Sequence, residues 1–402
     1  MPRWLEVCLG ITFLLRIPSL FEPFWYGDEM IYLTLGEGIR RGITLYSGLH
    51  DNKPPLIYLL AAISGNVFWF RAILSFWMLA TVTLFYYLVK RLFDDNEKIQ
   101  KVAVYSFAIL TSIPLFEGNI ANAEIFLIGP IIFAMLVLTA KRTPTPNLMF
   151  AGVLFSIASL FKLPAALEIP VIFIYWLATR GLKLKNILDS VKKFLPIIAG
   201  FVIPVGITLV WFYSRGALAD YLKAVFLENI SYLSSWRPGD VQKTFILRNL
   251  PLLIRGGVVL VGLITIFLAR KKLGKPFILA SIWILFSLFA ATLSERPYPH
   301  YFIQAIPAVS LFLGLLVAAR DKEQALAVLP LLLASVIPVY YKYYYYPTFS
   351  YYVRFANLAT RRISQEKYFS EFNQNTPRDY EIAKLITSST RKDDPIFVWG
   401  DS

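Results

Sequence analysis

The sequence predicts an all-α polytopic membrane protein, a bundle of about 11 transmembrane helices, and three observations carry that prediction. Of its 402 residues, 57% are hydrophobic and only 16% charged, where a soluble chain of this length holds about 25% charged residues. Apolar runs of about membrane length recur from one end to the other. The short loops between them alternate between strongly basic and poor in Lys and Arg.

The runs read as spans over 4–21, 71–92, 102–115, 123–140, 148–161, 164–179, 194–213, 249–269, 277–293, 301–319 and 325–340. Several are short for a ~30 Å hydrocarbon core. The first, in "MPRWLEVCLGITFLLRIPSL", has the charged start and apolar middle of a signal peptide, but no small-x-small cleavage site follows. It reads as an uncleaved helix. It also holds the single cysteine, Cys8, so no intrachain disulfide forms.

The loops at 90–101, 141–147, 180–193, 270–276 and 320–324 form the basic set, which the positive-inside rule places in the cytoplasm. The opposite set is 22–70, 116–122, 161–164, 214–248, 294–300 and everything after 340. This alternation requires that "PPLIYLLAAISGNVFWF" (54–70) does not cross. At about 16 residues, with polar positions interspersed, it suits an interfacial or re-entrant helix. "DEMIYLTLGEGIRRG" (28–42) reads as an amphipathic surface helix with Ile31, Leu35 and Ile39 on one side. The first outer loop is thus expected to be a structured shelf. Past Tyr340, "YKYYYYPTFSYYVRF" (341–355) reads as an aromatic exit from the bilayer. The division that follows is a membrane domain over 1–346 and an outer segment over 347–402, with no internal repeat.

The net charge of +14 is spread over short loops between apolar runs, where it meets lipid headgroups. No basic domain separates from the lipid-like segments, which excludes a nucleic-acid partner.

Ionisable groups are few in the outer loops and cluster near span ends: Asp28, Glu29, His50, Asp51, Lys53, Glu124, Lys162, Arg296 and His300. Charges at membrane depth are costly and mark functional paths. Each also has a plainer reading. Asp28 suits a helix cap, Lys53 a snorkelling anchor, and Lys162 a span-end lysine. Arg16, Arg71 and Glu168 read as structural, pairing between helices. Two histidines are too few for a histidine-rich metal site. A carboxylate at such a rim can take a proton from an acceptor hydroxyl or amine. Cations beside it can hold a departing phosphate. A phosphate leaving group at membrane depth points to a lipid-linked donor, and so to glycosyl transfer from a polyprenyl-phosphate sugar.

"YGDE" (26–29), "HDNKPPL" (50–56) and "RPYPHYFIQAIP" (296–307), in that order on the positive-inside map, resemble the GT-C glycosyltransferases. The nearest groups are the bacterial and archaeal relatives of protein O-mannosyltransferases and of the lipid A aminoarabinose transferase. The resemblance covers nearly the whole chain. It implies a GT-C helical bundle in a cell membrane, with its active site facing outward. Asp28 then corresponds to the base or metal-contacting carboxylate, with Glu29 and Glu124 as the further acidic positions. Lys53 lies at the Lys-Pro-Pro position near the donor, and Arg296, His300 and Tyr301 match the late Arg…His-Tyr segment at the donor phosphate; Lys162 joins that cationic set. The implied partners are a polyprenyl-phosphate sugar and a lipid, glycan or protein acceptor. No cofactor is called for, and a divalent metal is left open. Asn52 stands where relatives often carry an acid, which weakens a metal site there. The end, "DDPIFVWGDS", reads as a shortened tail or the edge of a fragment. A flippase for lipid-linked saccharides is the rival reading, although such proteins bury their sites at mid-membrane between repeats. A scaffold subunit of an envelope complex would have no need of Asp28.

Single cysteines placed in 28–53 and 345–402, in a Cys8→Ala background, are expected to react with an impermeant reagent in intact cells, while those in 90–101 and 180–193 stay protected. Labelling of 90–101 from outside would bring 54–70 back as a crossing.

Overall fold

The computed structural model describes residues 1–232, 244–318, 322–391 and 394. The start of the basic loop at 320–324 and nearly all of the 393–402 tail lie outside them. Among the described residues β-structure is limited to one bridge between Leu45 and Leu49; the rest is helix and connection. α1 (Arg3–Arg16) runs on as a 3-10 turn over Ile17–Phe21, and α2 (Gly27–Arg40) and α3 (Leu56–Ser64) follow. The first half of the bundle is α4 (Val67–Leu92), α5 (Glu97–Leu110), α6 (Ala123–Leu138) and α7 (Thr145–Phe161). A 3-10 turn, Leu163–Glu168, leads into α8 (Ile169–Arg180), then α9 (Leu184–Ser214) and the short α10 (Leu218–Leu222) and α11 (Glu228–Tyr232). α12 (Phe245–Ala269) and α13 (Lys275–Ala291) precede a second 3-10 turn, Pro299–Ala305, that continues as α14 (Ile306–Ala318). α15 (Lys322–Leu326) and α16 (Val328–Tyr340) close the bundle, and α17 (Thr348–Ala359), α18 (Gln365–Ser370) and α19 (Thr376–Ser389) make up the C-terminal segment.

Every apolar run read from the sequence falls on a helix. Seven helical stretches are long and apolar enough to cross a membrane, and α6, α7 and α13 are shorter apolar helices of 10–17 residues. The chain is an all-helical multi-pass membrane protein.

The segment 54–70 is two elements rather than one. α3 has 9 residues, a rise of about 14 Å, under half of a ~30 Å core. Gly65 ends it in the left-handed conformation at φ 73°, where a Cβ is disfavoured. Asn66 then caps α4, its side chain accepting from the Trp69 N–H. α4 therefore begins before Arg71, which lies inside the helix. In α2 the buried face is wider than the expected one. Leu35 and Ile39 pack inward as expected, together with Glu29, Tyr32, Leu33 and Gly36, while Ile31 is exposed, because the helix must present Glu29 to a buried partner on α4.

α7 and α9 pack through glycines. A Cβ on Gly152 would stand 2.0 Å from the Ile197 carbonyl oxygen, and one on Gly200 1.9 Å from that of Met149. Small residues are what allow two membrane helices to approach so closely.

The shelf is tied to the bundle by buried charge. Arg71 pairs with Glu29 on α2 and with Glu22, 3.2 Å away, all three side chains almost wholly buried. It also donates to the Ser19 carbonyl at 2.9 Å. Glu29 accepts the Ala121 N–H at 2.8 Å. Glu22 accepts from Asn119 at 2.9 Å and from the Tyr351 hydroxyl of α17 at 2.5 Å. Arg71 thus does pair between elements. Arg16 meets no acid and donates instead to the Thr111 and Gly118 carbonyls at 2.6 and 2.8 Å. Glu168 likewise accepts from the Gln304 amide at 3.0 Å rather than from a cation.

Arg71→Met leaves two buried carboxylates without their cation, a loss on the order of 3–5 kcal/mol. Thermal unfolding in detergent should show a large fall in midpoint, and a variant as stable as the parent would remove Arg71 from this role.

Candidate functional site

The site lies at the shelf end of the bundle, where α2, the 50–55 turn, the starts of α6 and the 3-10 turn Pro299–Ala305, and the end of α7 converge. Asp28 sits in the first turn of α2. Its carboxylate caps no backbone N–H. Instead the Tyr32 hydroxyl, one turn on, donates to Oδ2 at 3.1 Å, and Lys53 Nζ stands 3.5 Å from the same oxygen. Burial pushes the Asp28 carboxyl up, but Lys53 and then His300 outweigh it and hold the group below the usual aspartate range. Tyr32 is pushed well above an ordinary phenol, first by burial and then by Asp28, so it stays a donor.

Lys53 is placed by a turn braced from both sides. The Tyr46 hydroxyl donates to its carbonyl at 2.8 Å, and Tyr58 donates to Asp51 at 2.6 Å while accepting the Lys53 N–H at 3.3 Å. From across the loop, Asn229 donates to the Asn52 carbonyl at 2.6 Å. Lys53 Nζ lies 4.9 Å from the Tyr32 ring centre. This is no snorkelling lysine, for its side chain is only 19% exposed and beside an acid. His50 pairs with Glu228 on the exposed rim at 3.1 Å.

The second half of the site is built from helix ends. Glu124 is in the first turn of α6, and Lys162 is the residue on which α7 stops, its φ of −157° already extended. Lys162 forms an ion pair with Glu124 and sits 3.7 Å over the Tyr301 ring, a cation–π contact. His300 Nε2 is 3.7 Å from Glu124, and Nδ1 is bonded to Glu117. The imidazole hydrogen-bonds Glu117 through Nδ1 and only faces Glu124 through Nε2, at a distance beyond a hydrogen bond.

These parts border one cavity of ≈ 360 Å³. Lys53, Glu124, Lys162, Tyr301 and Gln304 supply its polar wall; Leu163, Pro164, Leu167, Phe226, Ile230 and Ala290 supply an apolar one. Of the residues singled out in sequence, Lys53, Glu124, Lys162 and Tyr301 line the cavity, and Asp28 and His300 touch its lining. Glu29 does not reach it. Adjacent residues on a helix differ by about 100°, so Asp28 faces Lys53 on the cavity wall while Glu29 faces Arg71. Arg296 follows Glu295, whose φ is 53°, and is half-buried and outside the cavity wall. Against expectation, the loop is therefore not extended throughout, and His300 is already in the 3-10 turn.

Three contributors were not singled out. Glu117, buried at φ 57°, is a non-glycine residue in the left-handed region, uncommon enough to mark a constraint. Tyr26 donates to it, and Asn122 lies at 3.4 Å from the same oxygen. Glu117 is an acid in a short outer loop, which is the signal that could have found it. Among the described residues no three His, Cys, Asp or Glu side chains are grouped to hold a metal ion. The cavity acids already face lysine or histidine, so these residues do not fit a resident divalent ion.

No family model and no curated protein matches this chain. Among solved structures it is similar to ArnT from Cupriavidus metallidurans bound to undecaprenyl phosphate, at 16% identity and a TM-score of 0.56, over 98% of this chain and 82% of that one. Weaker likenesses, from which nothing is drawn, are to the apo state of the same ArnT and to the oligosaccharyltransferase AglB from Archaeoglobus fulgidus in complex with an inhibitory peptide and a dolichol-phosphate. The apo ArnT match has 16% identity and a TM-score of 0.48, over 95% of this chain and 76% of that one. For AglB the values are 14% and 0.45, over 99% of this chain and 62% of that one. The first likeness shows the fold: the chain has the GT-C helical arrangement.

A carboxyl held below its ordinary value stabilises the fold at pH above the unfolded value and loses that contribution as pH falls through the folded one. The difference in melting midpoint between the parent and Asp28→Asn should therefore shrink as pH falls from about 5 to about 2. A difference that stays constant over that range would mean that Lys53 and His300 do not hold the Asp28 charge.

Proposed function

We propose that the protein is a glycosyltransferase of a cell membrane that moves a hexosyl or pentosyl unit from a polyprenyl-phosphate carrier to a lipid, glycan or protein acceptor on the outer face. One observation carries the reading: two lysines, each paired with a carboxylate, stand on the wall of one cavity whose other side is apolar. A lipid-linked donor has that same division. Its phosphate needs cations and its chain needs an apolar wall.

In the proposed reaction the acceptor hydroxyl oxygen bonds to the anomeric carbon of the sugar while the bond from that carbon to the phosphate oxygen breaks. The hydroxyl proton passes to Asp28, and polyprenyl phosphate leaves with the additional negative charge. Lys53 and Lys162 stabilise that charge as it grows, in a wall where little water dilutes it. Asp28 is ionised at neutral pH and shares Lys53 with the incoming phosphate, so its basicity rises as the phosphate draws the lysine away. Glu124 holds Lys162, and His300 braces Glu124 from behind. The outward orientation rests on the positive-inside alternation, with 1–346 as the membrane domain and 347–402 as an outer segment. The charged groups lie at helix ends, not at mid-span, which favours transfer over transport.

Purified protein offered a panel of polyprenyl-phosphate sugars, with product masses measured, tests the reading. Asp28→Asn should lower transfer by roughly a hundredfold or more, the scale of lost general-base catalysis, in a protein that still unfolds cooperatively. Transfer at the parent rate would dismiss Asp28 as the base. Arg296→Ala separates two roles for that residue. A higher apparent KM for the donor together with a lower turnover places it on the phosphate; unchanged constants leave the phosphate to Lys53 and Lys162.

A further inference from the structure

A second cavity, of ≈ 230 Å³, lies behind the first, where the C-terminal segment covers the shelf. The partition between the two is thin. Glu117 and Tyr26 line the second cavity. Glu117 is bonded to His300 Nδ1, and the other nitrogen of that ring faces Glu124 in the first cavity at 3.7 Å. One imidazole therefore separates an acid in one cavity from an acid in the other.

Aromatic rings dominate the walls, with Trp25, Tyr346, Tyr351 and Phe372 around the space. Trp25 and Phe372 lie 5.5 Å apart across the junction of shelf and C-terminal segment. The polar groups sit between the rings. Arg354 is paired with Glu371 at 3.2 Å and lies 4.7 Å over Phe372, and Asn119 is held by Glu22. Glu117 uses Oε2 for Tyr26 and His300, while its Oε1 is buried without a hydrogen bond of ordinary geometry. Tyr346 stands close to that carboxylate, which together with burial, the larger effect, pushes its hydroxyl up.

The chemistry of the walls selects the occupant. An acyl chain would cover the Arg354–Glu371 pair and the tyrosine hydroxyls and offer them no hydrogen bond in place of water. An anion would meet two carboxylates and a cation already neutralised by one of them. A sugar ring offers apolar C–H faces to aromatic rings and hydroxyls to the polar groups that sit between them. Drug-sized ligand pockets run to about 300–1,000 Å³, so this smaller space suits one ring.

We propose that this cavity is a saccharide subsite that binds one neutral pyranose unit, its C–H faces against the aromatic walls and its hydroxyls toward the Arg354–Glu371 pair. That the unit belongs to the acceptor, next to the one that is glycosylated, rests on the transfer reading above; the binding itself does not.

The test uses the full chain in a detergent without a sugar headgroup. Methyl α-mannopyranoside, methyl α-glucopyranoside and methyl α-galactopyranoside are the saccharide probes, followed by saturation-transfer NMR. Undecaprenyl phosphate, followed by thermal stabilisation, is the lipid probe. At least one pyranoside should give a saturation signal that falls by about fivefold or more in Tyr346→Leu, the scale of one lost ring contact, and falls likewise in Arg354→Met. Undecaprenyl phosphate should stabilise both variants as it does the parent. Lys162→Met should do the reverse, losing the lipid response and keeping the saccharide signal. A saccharide signal with no lipid response in the parent keeps the subsite and overturns the transfer reading. No signal from any of the three pyranosides, or a signal that survives both Tyr346→Leu and Arg354→Met, overturns the subsite.

Discussion

The buried guanidinium of Arg71 is the constraint on which the outer end of the molecule depends. A charge taken out of water at this depth costs several kcal/mol unless it is matched and its donors are used. Here two carboxylates and the Ser19 carbonyl surround it. The partners come from separate stretches of chain, and each carries a further contact. Glu29 fixes the 119–122 loop through the Ala121 N–H, and Glu22 fixes α17 through Tyr351. Breaking the network at its centre therefore loosens three outer segments at once, which a single surface ion pair would not do.

The same network explains how two adjacent acids come to play unlike parts. α2 has to turn Glu29 inward to meet Arg71, and the pitch of the helix then turns Asp28 toward Lys53. The position of the candidate base is thus set by the burial of its neighbour. Lys162 reaches the cavity by another route. α7 ends on it, and the extended backbone there aims the side chain at Glu124 and Tyr301 rather than along the helix.

Much of this was legible in the sequence. Apolar runs gave every helix of the bundle, because lipid-facing segments leave no other way to satisfy the backbone. The shelf was legible from the shortness of 54–70 and from the loop charges. Lys53, Lys162 and Glu124 were legible as charges that lipid would otherwise exclude. What could not be read was pairing across the chain. That Glu29 belongs to Arg71, or His300 to Glu117, depends on contacts between residues 42 and 183 positions apart, and no local pattern encodes them. On α2 only Ile31 departs, for the same reason: its apolar periodicity grouped it with Leu35 and Ile39, which do pack inward, and a buried ion pair turned it to the surface.

The C-terminal segment shows how far the constraint extends. By composition it looked like a soluble tail. In the structure Tyr351 enters the Glu22 site, Tyr380 accepts the Phe24 N–H at 2.9 Å, and Phe355 packs on Phe21 at 5.3 Å between ring centres. The segment is therefore laid onto the shelf in part by Glu22, one of the two acids that anchor the shelf to α4. The space enclosed beneath it is bounded on one side by Glu117 and Tyr26, which also back the first cavity through His300. The two cavities are joined by buried hydrogen bonds from Tyr26 to Glu117 to His300, whose ring then faces Glu124, the acid that holds Lys162, at 3.7 Å. A movement of α17 that pulled on Glu22 would be felt at the shelf before it was felt anywhere else.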